Sequence, residues 1–181
     1  QYVLYQKKWY STVQTVLSFN FIPLPKMASR HNNPKEALLP TPVDADRGVL
    51  YVGTGEGYTS PAADTSDAVV AFALETGERR WAKQLLGGDA WNMACFIGEA
   101  ANCPEEDGPD LDIGASTILW SDGDRDYLLV GQKSGDVYAL DPDEDGAVLW
   151  HNKVGRCGFL GGVYWGMSAD TESLFVPIAD T

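Results

Sequence analysis

One short pattern recurs along the chain, and it restricts the possible folds more than any other feature. Gly48-Val49-Leu50-Tyr51-Val52-Gly53 returns as Asp126-Tyr127-Leu128-Leu129-Val130-Gly131 and again as Ser173-Leu174-Phe175-Val176-Pro177. Each copy follows a polar turn, at 44–47, 121–125 and 169–172, and another short strand-like run precedes each turn. The first two copies lead into a further hairpin, 68–73 with 79–81 and 136–140 with 147–150. Apolar and polar positions alternate, and β-branched and aromatic residues fill the runs between Asp/Gly turns. These segments are therefore read as strands, four to a repeat.

From Val130 to Val176 is 46 positions, within the ~40–50 residues of a four-stranded propeller blade. From Val52 to Val130 is 78, and the excess falls mostly at 85–112, a stretch rich in Gly, Cys and acidic residues. A long insertion at one place in a repeat maps to a loop on one face, where sites are built on a rigid scaffold. The expected fold is all-β, with full blades at about 40–84 and 114–155 and a truncated third from 161. Residues 1–39 do not fit the repeat and stay unassigned: 2–5 and 13–17 have strand-like composition, yet Pro23, Pro25 and Pro34 follow. Two and a half blades cannot close a ring, the first residue is Gln1, and the last strand-like run stops without a turn, so the chain reads as a piece of a longer protein.

Composition narrows the partners. The 181 residues carry 26 acidic and 13 basic side chains, a formal charge of -13. Such a surface repels phosphate backbones and anionic headgroups, which makes nucleic acid and membrane surfaces poor partners. No run approaches the ~20 apolar residues needed to cross a bilayer. The three cysteines, Cys95, Cys103 and Cys157, form no CxxC or CxxCH, and His31 and His151 have no partners at metal-ligand or triad spacing. Cys95 and Cys103 flank a short loop and are as compatible with a disulfide as with two free thiols; Cys157 reads as a lone buried thiol. Gly53-Thr54-Gly55-Glu56-Gly57 is no phosphate cradle, because Tyr58-Thr59-Ser60-Pro61 cannot open the helix such a loop requires. Asp141-Pro142-Asp143-Glu144-Asp145-Gly146 imitates the start of an EF-hand loop, but its twelfth position is Asn152 and both flanks read as strands.

At Ala71-Phe72-Ala73-Leu74-Glu75-Thr76-Gly77-Glu78-Arg79-Arg80-Trp81 the chain resembles the tryptophan-docking motif of pyrroloquinoline quinone (PQQ) propellers. Ala139-Leu140-Asp141, Gly146 and Trp150 make a looser second copy. In physical terms the Thr-Gly or Asp-Gly closes a hairpin and the tryptophan packs its apolar face on the neighbouring blade. The ordered motifs Gly53-Thr54-Gly55, Asp89-Ala90-Trp91-Asn92, Gly108-Pro109-Asp110-Leu111-Asp112-Ile113-Gly114-Ala115-Ser116, Gly131-Gln132-Lys133-Ser134-Gly135 and Gly161-Gly162-Val163-Tyr164-Trp165-Gly166 extend the likeness. From about residue 40 to the end the chain is similar to the quinoprotein alcohol dehydrogenases, and most to their polyvinyl-alcohol dehydrogenase branch.

That resemblance implies an eight-bladed propeller, periplasmic or secreted, holding PQQ and Ca²⁺ near its axis. It implies a small-molecule or polymeric alcohol as substrate and a cytochrome c-type electron acceptor. The alcohol carbon gives hydride to the quinone, a carboxylate base takes the hydroxyl proton, and the metal acts as a Lewis acid. Carried over by position, Glu56 stands where many members place a metal-ligating Asn, and a carboxylate is a suitable hard ligand. Asn92 stands where the alcohol dehydrogenases place the catalytic Asp, so it takes the catalytic, cofactor-contacting and metal-ligating position, although an amide cannot serve as a base. Lys133 occupies the place of a cation that contacts the quinone oxygens, and Trp165 lies near the cofactor rim. The tryptophan expected to stack on PQQ is replaced by Leu38-Leu39-Pro40, and the adjacent-cysteine disulfide of some relatives is absent.

Glu56 and Lys133 follow the same strand of successive blades and should emerge on one face, converging with Asn92 on one cleft. In a periplasmic chain Cys95 and Cys103 should lie within disulfide reach. The rival reading is a non-catalytic PQQ-like propeller serving as a protein-binding scaffold. The amide at the base position favours that reading, whereas the insertion and the Gln132-Lys133 turn favour the enzyme.

Overall fold

The structure, a computed structural model, describes residues 16–23, 42–98, 101–158 and 160–180. The expectations placed on 2–5, 13–15, His31 and 38–40 lie outside them. Two antiparallel four-stranded sheets follow one another along the chain, each in sequential strand order. The first comprises β2 (Val43–Asp44), β3 (Val49–Gly53), β4 (Ala68–Ala73) and β5 (Arg79–Gln84). The second comprises β6 (Ile118–Ser121), β7 (Asp126–Gly131), β8 (Asp136–Asp141) and β9 (Ala147–Lys153). The two share a register break in the same place: Ala71 pairs with Trp81 and Phe72 with Arg79, while Ala139 pairs with Trp150 and Leu140 with Val148. Trp81 and Trp150 thus hold equivalent positions, and the chain is a propeller segment.

A third sheet has the order β1 (Val16–Pro23), β11 (Ser173–Asp180), β10 (Ser168–Ala169). Here β10 and β11 take the places of the first two strands of a blade. The strand β1, from the segment that did not fit the repeat, pairs antiparallel with β11 from Val16 opposite Asp180 to Pro23 opposite Ser173. Proline is tolerated there because it closes the strand.

The middle sheet is covered on both faces, which is why β7 reads as an apolar run rather than a clean alternation. Leu128, Val130 and Leu140 pack against Val49, Tyr51, Val69 and Ala71 of the first sheet. Leu129, Val137 and Ala139 point the other way, against Leu174, Val176 and Ile178 of the third. Trp81 leans on the following sheet so closely that a Cβ at Gly146 would stand 2.9 Å from its ring. The Trp120 indole N–H donates to the Asp170 carbonyl at 2.8 Å, tying the second sheet to the third. Arg47, in the β2–β3 turn, reaches across the first interface to Asp126 at 2.7 Å and Asp143 at 2.6 Å while also pairing with Asp44 at 2.8 Å.

The insertion carries the one helix among the described residues, α1 (Met93–Ile97). Asn92 caps its start, and Gly98, in the left-handed conformation at φ 78°, ends it by donating to the Ala94 and Cys95 carbonyls. A disulfide joins Cys95 to Cys103, with Cα atoms 4.7 Å apart. Cys157 is free, as expected, but it is exposed rather than buried. It follows β9 on a stretch of loop whose neighbour Arg156 is also exposed, a placement that its apolar character does not reveal. No helix among the described residues is long and apolar enough to cross a membrane.

Candidate functional site

The strands β3 and β7 end at equivalent points, and the residues that follow them leave on the same side of the sheets. Glu56 comes from the first of these exits and Lys133 from the second. Between them lies the last part of the insertion, 108–114, which has no ladder of its own. Its Asp112 ties the two exits together. The Asp112 carboxylate accepts the Glu56 amide N–H at 3.0 Å and pairs with the Lys133 ammonium at 2.5 Å. Its carbonyl accepts the Lys133 N–H at 2.9 Å. Asp110, two residues earlier and held in the left-handed region at φ 55°, pairs with Lys133 at 2.7 Å. Gly55 makes this approach possible, since a Cβ there would stand 2.4 Å from an Asp112 oxygen.

Carboxylate oxygens of Glu56, Asp110 and Asp112 lie within 4.8 Å of one another, and Lys133 pairs with Asp110 and Asp112. Burial, a hydrogen bond with Asp112 and the charge of Asp112 push Glu56 up to about 7. For Asp112 burial works the other way but is outweighed by hydrogen bonds from Glu56 and Lys133, which hold it below the usual carboxylate range. Their contact therefore moves the two acids in opposite directions, Glu56 upward and Asp112 downward. Burial raises Asp110 despite its pairing with Lys133. Burial also opposes the Lys133 ammonium, yet the bonds to Asp110 and Asp112 prevail and raise its pKa. Three crowded oxygen donors of like charge are the set a hard dication takes, and a cation there would relieve the repulsion that raises Glu56. The residues fit calcium.

Lys133 also sits 5.4 Å above the Tyr164 ring, and Tyr164 meets Trp165 edge-on at 5.1 Å. Trp165 is 57% exposed. An exposed indole one aromatic ring away from a fixed ammonium offers a planar anionic cofactor such as PQQ a stacking surface. Asn92 is placed differently. Its Oδ1 accepts the Ala94 N–H at 2.8 Å as the cap of α1, and its Nδ2 donates to the Tyr58 and Asn102 carbonyls at 3.0 Å. None of these bonds reaches Glu56 or Lys133. The structure thus brings Glu56 and Lys133 together through Asp110 and Asp112, sets Trp165 one aromatic ring away, and commits the Asn92 amide to capping α1 and to the Tyr58 and Asn102 carbonyls.

Asp110 and Asp112 are not singled out by motif reasoning, although both lie within the motif at 108–116. Asp67 and Asp89, both fully buried, were missed as well. A concavity of about 440 Å³ lies elsewhere, among Arg47, Arg125, Asp126, Asp141 and Asp143. It lies at the opposite ends of β3 and β7 and is spanned by ion pairs.

Fold and site together define a propeller segment with a carboxylate-and-lysine cluster at the ends of two adjacent blades. In sequence the chain is 47% identical over 140 residues to a polyvinylalcohol dehydrogenase of Pseudomonas sp, covering 76% of this chain and 21% of that protein. It is 42% identical over 142 residues to a polyvinylalcohol dehydrogenase of Sphingopyxis sp. (strain 113P3), covering 76% and 22%. The chain therefore has homologues of that name and spans about a fifth of their length. No protein-family model matches it.

Proposed function

We propose that this chain forms one wall of the cofactor site of a PQQ-dependent alcohol dehydrogenase acting on secondary or polymeric alcohols. The observation that carries the reading is the convergence of Glu56, Asp110, Asp112 and Lys133 from two blades and the insertion between them. Glu56, Asp110 and Asp112 would hold Ca²⁺, and Lys133 and Trp165 would bound the quinone. When bound, PQQ supplies the hydride acceptor and Ca²⁺ the Lewis acid. The chain's own part is to hold the oxygen donors for the cation and a fixed positive charge beside the alcohol. Asp112, which accepts the Glu56 N–H and pairs with Lys133, fixes the spacing between the oxygen donors offered to the cation and the ammonium. Lys133, buried and held by two carboxylates, keeps its ammonium at one place, where it stabilises negative charge on an oxygen. The Asn92 amide caps α1, so what favours the enzyme over the scaffold reading is the convergence of the three carboxylates and Lys133, not Asn92. The homologues' name supports a polymeric alcohol. The disulfide supports an oxidising compartment such as the periplasm, and the electron acceptor we propose is a cytochrome c-type protein.

The test uses the full-length protein reconstituted with PQQ and Ca²⁺ and assayed by dye reduction across a panel of alcohols. Turnover should depend on both additions. Lys133→Ala should lower it by at least about 100-fold, the scale of losing one preorganised electrostatic contact, without unfolding the blades. Turnover that ignores PQQ, or an unchanged Lys133→Ala variant, would remove this reading.

A further inference from the structure

We propose that Asp89 is the positioning residue of the carboxylate cluster, setting the distance between the loop that carries Glu56 and the loop that carries Asp110 and Asp112. The inference rests on the cation reading above. Both loops lie outside the three sheets, and a single parallel bridge between Gly57 and Ala90 links the Glu56 loop to the insertion. Asp89 touches both. Its carbonyl accepts the N–H of Gly57, next to Glu56, at 3.0 Å. Its carboxylate accepts the Asp110 N–H at 3.3 Å and the Leu111 N–H at 3.0 Å.

The neighbouring contacts leave little freedom. Trp91 N–H donates back to the Gly57 carbonyl at 2.8 Å, and Gly108 N–H donates to the Ala90 carbonyl at 3.0 Å. The loop passes so close that a Cβ at Gly108 would stand 2.1 Å from an Asp89 oxygen. Asp89 is fully buried and has no ion pair among the described residues. It is a carboxylate spent on two backbone amides, and such charge-assisted bonds are stronger than neutral ones. With both oxygens turned to those amides, it orients the ligand loop instead of joining the ligands. Partners of this kind, one step removed from a metal, typically change metal affinity by 10–100-fold when lost.

The experiment uses the full-length protein without PQQ, with calcium alone as the probe in a calorimetric titration. Asp89→Asn keeps the shape and one acceptor oxygen, so calcium affinity should fall about 10-fold; Asp89→Ala should cost about 100-fold. In the calcium-free protein, amide exchange at Asp110 and Leu111 should quicken in Asp89→Asn while exchange within β4 holds. If affinity falls only in step with melting temperature and β4 exchange, Asp89 serves stability alone and the proposal is overturned. Unchanged affinity in Asp89→Asn overturns it too, and Asp89→Asn decides the matter if Asp89→Ala does not fold. Should the unsubstituted protein bind no calcium, the cation reading fails, and the exchange rates at Asp110 and Leu111 still decide whether Asp89 positions the loop.

Discussion

Asp67 is fully buried and held at φ 46°, and no donor reaches either carboxylate oxygen among the described residues. The carboxyl of Asp89 is its neighbour. Burial, and then the charge of Asp89, push Asp67 up to about 8. The folded chain therefore keeps a proton that the unfolded chain releases near the usual carboxylate pKa of about 4. A group whose folded pKa is raised in this way costs nothing at low pH and removes stability as pH climbs from about 4 to 8. Asp67→Asn should erase that slope. The new amide has no charge to lose, can donate to Asp89, and tolerates a left-handed backbone. Denaturant unfolding across pH should show the variant level with the parent below pH 4 and more stable at pH 8. Parallel curves would refute this account of Asp67.

At the scale of the element, a blade stands by what it meets on the next one. Trp81 is half-buried, its ring 5.7 Å from that of Tyr51 and laid against the Gly146 turn of the following sheet. Removing a large packed aromatic costs about 3–5 kcal/mol, and partial exposure puts this site at the low end. Trp81→Ala should therefore lower unfolding stability by about 3 kcal/mol. An equal loss from changing an exposed residue such as Val148 would show that docking is not the cause. The Arg47 bridge to Asp126 and Asp143 works at the same interface, but it is partly exposed and screened by salt, so its effect should be smaller.

For the molecule as a whole, the net charge of -13 and the buried acidic cluster both oppose folding without counter-charge. A cation bound only by the folded state adds RT ln(1 + [L]/Kd), about 2.7 kcal/mol at a hundred times Kd. The full-length protein should thus melt higher in Ca²⁺ than in chelator, with a gain that grows with calcium concentration. Removing one ligand by Asp112→Asn should shrink that gain. Melting curves that coincide with and without calcium would argue against a metal at Glu56, Asp110 and Asp112.

The strands, their turns and the blade repeat were legible in the residues alone, because each is a short-range matter. Alternation along β3, Asp/Gly at the turns and Trp81 and Trp150 at matching places depend only on neighbours a few positions away. The resemblance likewise pointed to Glu56 and Lys133. What joined them was not legible. Asp112 meets Glu56 across 56 positions and Lys133 from the next blade, and that meeting depends on how the insertion folds back over the gap between two sheets. The same holds for Asn92, whose amide caps a helix that the repeat did not foretell, and for Cys157, which the fold leaves in solvent. It holds for Val16–Pro23, a stretch with no place in the repeat that pairs along β11. Local pattern decides which residues form strands. Which carboxylates end up gathered around one lysine is decided by long-range packing, where burial and charge act on residues far apart in the chain.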